Sequence, residues 1–252
     1  MYGRVLMGAT LALLTTAAVA DGVEDLKLTV GDKAPAADIE HWIKGTEVES
    51  WSPDKIYVLE FWATWCGPCR ASMPHITELQ KQYKDYGVTF IGVSDEKIDV
   101  VKGFLEKPEW EVKTGYTLAT DPDRSTHNDY MAAALQSGIP TAFVIGKEGR
   151  VEWIGHPMQI DEPLRQIVEG SWNRDAFKVA FEDEIRVDRE IAKRGAMLRK
   201  AAEEGDWPTV IRIYDELIAT APKSPQFKVQ KFRTLLTKAN RPEEAYLVGA
   251  EI

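Results

Sequence analysis

The chain has 252 residues, 44% of them hydrophobic, enough for one domain of ordinary size plus a smaller appendage, so disorder is not the default expectation. Its 31 Lys and Arg are outnumbered by 40 Asp and Glu; the formal charge of -9 argues against nucleic acid or another polyanion as partner. There are only two cysteines, Cys66 and Cys69.

Residues 1–20 read as an export signal. Arg4 supplies a positive start, Val5 to Leu14 is largely apolar, and Ala18-Val19-Ala20 offers small side chains to a peptidase before Asp21. The alternative is an uncleaved anchor, but a bilayer core needs roughly 20 apolar residues, and Thr15 and Thr16 interrupt this run. The expectation is a periplasmic or secreted protein that begins near Asp21, in a compartment where thiols tend to oxidise.

Val30 to Pro35 is turn-rich, and the stretch that follows, through Pro53, has no regular pattern. Ile56 to Trp62 has the β-branched and aromatic content of a buried strand, interrupted by Glu60. From about Pro68 to Tyr83, Met73, Ile76 and Leu79 recur at the spacing of an amphipathic helix. A strand over Val88 to Val93 follows, then a helix near Asp99 to Leu105, a strand near Tyr116 to Ala119 and a helix starting around Ser125. Thr141 to Ile145 and Val151 to Ile154, separated by a loop bearing Gly149, read as a β-hairpin, with a helix over Glu162 to Val168 to close the unit. This alternation predicts an α/β fold.

From Asp175 onward no segment reads as a strand, which predicts an all-α extension. Gly205-Asp206-Trp207 with Ile211, Tyr214, Ile218 and Pro222 resembles the second half of a tetratricopeptide repeat, and Pro242 to Ala245 a weaker copy. Because such arrays need at least about three repeats, a small helical unit packed on the main domain or on another subunit is expected. The division is therefore a signal at 1–20, a main domain at 21–172 and a helical, tetratricopeptide-like extension at 173–252.

The chemistry centres on Trp65-Cys66-Gly67-Pro68-Cys69, which falls between a predicted strand and a predicted helix. At a helix N-terminus the unpaired N–H groups and the macrodipole favour negative charge, so Cys66 is the expected thiolate nucleophile. Cys69, on the first turn, is near enough to attack a mixed disulfide formed by Cys66. Pro68 is tolerated there because a first-turn residue has no helical N–H bond to lose. Two other readings are a structural disulfide and half of a metal site. A bridge over so short a loop restrains the unfolded chain very little. His41, His75, His127 and His156 are scattered, so neither a metal site nor a cofactor is expected.

Phe61 to Cys69 resembles the active-site segment of the thioredoxin superfamily. Pro74 matches that family's helix proline, Glu60 its buried acidic residue, and Gly138-Ile139-Pro140-Thr141 its cis-proline loop. The likeness covers roughly residues 30 to 170. Gly31 to Pro35, Asp121-Pro122-Asp123, the segment inserted between Asp95 and Tyr130 and the hairpin around Gly149 are most similar to the TlpA-like exported group. The resemblance implies a thioredoxin-like fold, a central mixed sheet flanked by helices, and an enzyme that exchanges thiols and disulfides. It implies that Glu60 takes the proton of Cys69, and that a cis Pro140 leaves neighbouring backbone groups to an extended substrate strand. A strand-edge carboxylate and a trans turn proline are the alternatives. Trp65, Gly67, Pro68 and Ile139 are implied as the surface that meets the client. No lysine on the second strand partners Glu60, because Ile91-Gly92-Val93-Ser94 occupies that region.

His75, six residues beyond Cys69, is expected to point away from the sulfurs, and His156 to shape a turn. The implied partners are a disulfide-bearing client protein and an upstream dithiol donor, with the C-terminal helices a candidate for protein contact. Gly67, Pro68 and Ile139 resemble reducing members, with oxidase and isomerase action as the alternative directions. A thiol peroxidase is a second reading, because Gly31 to Pro35 is reminiscent of peroxiredoxins, although Leu59 and Ala63 stand where a peroxidatic site has proline and threonine. A noncatalytic metal-handling or adaptor module is a third.

Overall fold

The computed structural model describes residues 25–252, so the export signal expected over 1–20 lies outside the described residues. Its sheet is built from β1 (His41–Lys44), β2 (Ile56–Trp62), β3 (Val88–Ser94), β4 (Thr117–Thr120), β5 (Thr141–Ile145) and β6 (Val151–Gly155), in the order β1-β4-β3-β2-β5-β6. β2, β3 and β4 run parallel; β5 is antiparallel to β2 and β6 to β5, while β1 closes the far edge antiparallel to β4. Every residue of β2 is buried, as a central strand covered on both faces requires. The sheet is thus mixed, with the thioredoxin-like arrangement expected.

Alternation along the strands divides the core into two layers. Val58 and Trp62 of β2, Phe90 of β3 and Val144 of β5 face one side, where they meet Met73 and Ile76 of α1 (Gly67–Tyr83). On the same side lie α2 (Ile98–Leu105), α3 (Pro108–Lys113) and α5 (Asp161–Glu169), through Val101, Phe104, Trp110 and Leu164. Leu59 and Phe61, Ile91 and Phe143 face the other side, where Leu28 and Val30 of the N-terminal segment pack with Tyr130 and Met131. Those two residues follow the single turn α4 (Ser125–His127), in a π-helical turn over Asn128–Ala132. The hairpin between β5 and β6 turns at Gly149, whose φ of 68° is left-handed and suits a residue without Cβ.

Two elements were not expected. β1 falls inside the stretch expected to be irregular, because its four residues, HWIK, form an edge strand that is mostly half-buried and carries no clean alternation. α3 is a six-residue helix rich in charge, started by Pro108 and held to the core by Trp110.

The chain then forms α6 (Arg174–Glu203), α7 (Trp207–Thr220), α8 (Pro225–Thr237) and α9 (Pro242–Gly249). Asn173 caps α6 by accepting from the Ala176 N–H, and Asp206 caps α7 by accepting from that of Thr209. The first turns of α6 belong to the sheet: Phe181 and Ile185 are buried with Leu59 and Phe143, and Phe177 packs beside them. Arg174 anchors the start of α6 with a bidentate ion pair, at 2.7 and 2.6 Å, to the buried carboxylate of Glu152 on β6. The rest of α6 leaves the sheet and packs on α7, and α7, α8 and α9 pack in sequence, the last three around Ile211, Leu235 and Ala245.

If the first half of α6 is part of the main core, Phe181→Ala lowers unfolding free energy by about 3 kcal/mol or more. Val179→Ala, on the opposite face of the helix and 64% exposed, changes it by less than about 0.5 kcal/mol. Urea denaturation followed by tryptophan fluorescence checks both.

Candidate active site

Strand β2 ends at Trp62, and after Ala63, Thr64 and Trp65 the chain enters α1 at Cys66. Cys66 is the N-cap: its Sγ accepts the backbone N–H of Cys69 at 3.1 Å, and Pro68 occupies the first turn. The two sulfurs form a disulfide with Cα atoms 5.3 Å apart. Cys69 is fully buried, whereas Cys66 is 3% exposed and flanked by the exposed Gly67 and Pro68 and by Trp65, 70% exposed. Of the two cysteines, Cys66 is thus the one that reaches the surface.

The loop before β5 faces this pair. The Ile139–Pro140 peptide is cis, and the Ile139 carbonyl oxygen lies 3.7 Å from the Cys66 sulfur. In the disulfide no thiol proton spans that gap; once Cys66 is reduced, the same distance allows a weak S–H···O bond. Thr141 Oγ1 donates to the Gly138 carbonyl at 2.8 Å and fixes the bend of the loop.

Glu60 sits on the α1 side of β2, between Val58 and Trp62. Its register neighbours are Gly92 on β3 and Ala142 on β5, so small residues flank the carboxyl on both sides. Gly92 has no room for anything larger: a Cβ there would lie 2.8 Å from Leu118 Cδ2 and 3.2 Å from Trp62 Nε1. A lysine opposite Glu60 is thus sterically shut out at this register position. Among the described residues neither Glu60 oxygen has a hydrogen-bond partner, nor has Trp62 Nε1 or Tyr116 Oη. Burial with no compensating cation pushes the Glu60 pKa up from 4.5 to about 8. The same burial, and then the Glu60 charge, push the Tyr116 hydroxyl well above its ordinary value.

A residue not singled out from sequence orders the redox turn. Glu96, just past β3, accepts the Thr64 N–H at 2.6 Å and the Thr64 hydroxyl at 2.7 Å, and is itself held by the Ser94 hydroxyl at 3.1 Å. These bonds pin the residue two before Cys66 to the neighbouring strand end. Arg124, in the left-handed region, pairs with Asp95 beside them. The histidines lie elsewhere in role: His75 pairs with Asp161 at 2.9 Å, and His156 Nδ1 accepts the Met158 N–H at 3.2 Å, capping a short turn. The structure thus brings Cys66, Cys69, Trp65, Gly67, Pro68, Ile139, Pro140 and Glu60 into one region.

Residues 30–154 match the AhpC/TSA family. The thiol-disulfide oxidoreductase ResA of Bacillus thuringiensis subsp. konkukian is 32% identical over 129 residues, covering 50% of this chain and 68% of that protein. Protein FixW of Rhizobium leguminosarum is 26% identical over 155 residues, covering 58% of this chain and 68% of that protein. Among solved structures, the thioredoxin domain of a thiol-disulfide oxidoreductase from Bacteroides vulgatus is 26% identical, covers 58% of this chain and 99% of that one, and has a TM-score of 0.43. The chain belongs to the AhpC/TSA family, as a thioredoxin-like thiol-disulfide oxidoreductase that works on protein disulfides with its own cysteine pair as electron carrier.

Proposed function

We propose that the protein is an exported disulfide reductase in which Cys66 attacks and Cys69 resolves. The observation that carries this reading is the placement of the Cys66 sulfur as N-cap of α1, accepting the Cys69 N–H. A thiolate in that position is stabilised by backbone dipoles, and Cys66 is the cysteine that reaches the surface. The thiolate of Cys66 attacks one sulfur of the client disulfide, forming a mixed disulfide and expelling the other client sulfur, which takes a proton from water. Cys69 then loses its proton to the ionised Glu60 carboxyl and attacks the Cys66 sulfur. The second client sulfur leaves as a thiolate and takes a proton from water, and two electrons have passed from the protein dithiol to the client. An upstream dithiol donor restores the pair.

Reduction is the favoured direction because Gly67, Pro68 and Ile139 resemble reducing members. Cis Pro140 leaves the backbone beside it to an extended client strand, and Trp65 gives the client an apolar rim. Export rests on the pattern of residues 1–20, and among the described residues no helix is long and apolar enough to cross a membrane. Residues 173–252 are read as a tetratricopeptide-like unit with a protein-contact role, which the sequential packing of α7, α8 and α9 supports.

The direct test mixes the reduced protein with a protein disulfide. Cys69→Ser accumulates a covalent adduct on Cys66, and Cys66→Ser abolishes turnover and forms none. Wild-type turnover that survives Cys66→Ser contradicts the assignment.

Glu60 gives a second test. The folded protein holds the carboxyl proton up to about pH 8, while the unfolded chain releases it near 4.5. Stability therefore falls as pH rises through that window, by a few kcal/mol at about 1.4 kcal/mol per pH unit. In Glu60→Gln this slope disappears, and the variant is the more stable form at pH 8. Resolution by Cys69 speeds up toward pH 8 in the wild type and loses that rise in the variant; denaturant titrations and quenched-flow trapping across pH read both.

A further inference from the structure

A groove of about 930 Å3 opens between the long helix α6 and the cis-proline loop that faces the redox pair. Ile139, which touches the Cys66 sulfur, lines its near end. The floor is the end of β6 around Trp153, and the far wall is one stripe of α6, from Phe177 to Ala192. At 1.5 Å per residue that stripe is about 22 Å long, room for about six residues of extended chain.

The wall changes character along its length. Phe181 and Ile185 are apolar and packed into the core, whereas Glu184 and Asp188, one helical turn apart, are exposed on the groove side. Neither carboxylate makes an ion pair with a described residue. The cation on the same rim, Arg189, is engaged with Asp25 at 2.5 Å. The groove therefore offers an apolar floor that leads away from the reacting sulfur toward two uncompensated negative charges.

We propose that this groove seats the client polypeptide next to its reacting cysteine, and that Glu184 and Asp188 select clients with a lysine or arginine within about six residues of that cysteine. The proposal rests on the reductase reading above and adds its substrate preference. Continuity with Ile139 commits the groove to the chain whose disulfide is being attacked, and the charge of the wall specifies that chain's complement.

The test uses prereduced full-length protein in single turnover, so no donor is needed: each Cys66–Cys69 dithiol is oxidised to the disulfide as one peptide disulfide is reduced to two thiols. The probes are synthetic peptides that differ only in lysine, glutamine or glutamate at successive positions flanking a disulfide-bonded cysteine. Lysine on one side of the cysteine is expected to raise the second-order rate about three- to tenfold over glutamine at low salt. Glu184→Gln with Asp188→Asn removes that preference, and Glu184→Lys with Asp188→Lys turns it toward glutamate. None of these variants changes the rate with hydroxyethyl disulfide, which is too small to reach α6. Equal rates for all peptides, with reduction still dependent on Cys66, overturn the groove proposal alone. If no disulfide is reduced, the reductase reading fails and takes this one with it.

Discussion

The junction between β2 and α1 sets every other feature of the site. A strand buried on both faces delivers the chain to a helix N-terminus, where the Cys69 N–H donates to the sulfur of Cys66. The same strand carries Glu60 one layer below, on the side α1 covers. A single structural device thus places the Cys66 sulfur at a helix N-terminus and a buried carboxyl in the layer beneath it. The second placement has a cost, since an acid with no hydrogen-bond partner among the described residues is kept neutral by burial until about pH 8. Gly92 and Ala142 flank it in the register, and the missing Cβ of Gly92 leaves space for Leu118, Tyr116 and Trp62 around it.

How far the sequence discloses this depends on whether the signal is local. Ile56 to Trp62 reads as a strand because seven residues in a row suit burial on both faces, and the structure has those bounds. The cysteine motif is legible for the same reason, being a turn between two strongly patterned elements. β1 and α3 escaped because HWIK and PEWEVK are short, mixed in polarity and stabilised by what covers them. Glu96 was missed because its partner Thr64 lies 32 residues away, a pairing that only the parallel packing of β2 on β3 creates. In contrast, the lack of a lysine opposite Glu60 was visible at Gly92, and the structure supplies the steric reason.

Helix α6 shows a different limit. Phe177, Phe181 and Ile185 recur at helical spacing, which fixes that they share a face but not what that face covers. The structure sets them on the sheet, with Arg174 locked to Glu152 at the helix start, so that the first half of a helix expected in the appendage closes the main core. That position also makes α6 the wall of a groove whose other side is the cis-proline loop, and so sets a part of the chain with no redox chemistry of its own across from the loop that meets the Cys66 sulfur.

The claim on which all of this turns is that Cys66, once reduced, is an anion at neutral pH because of where α1 begins. The rate of its alkylation by iodoacetamide, followed against pH in the reduced folded protein, measures this directly. The account predicts a midpoint clearly below that of an ordinary thiol, about 8.5, with a rise toward the ordinary value when the protein is unfolded. A midpoint at or above the ordinary value in the folded protein would contradict it.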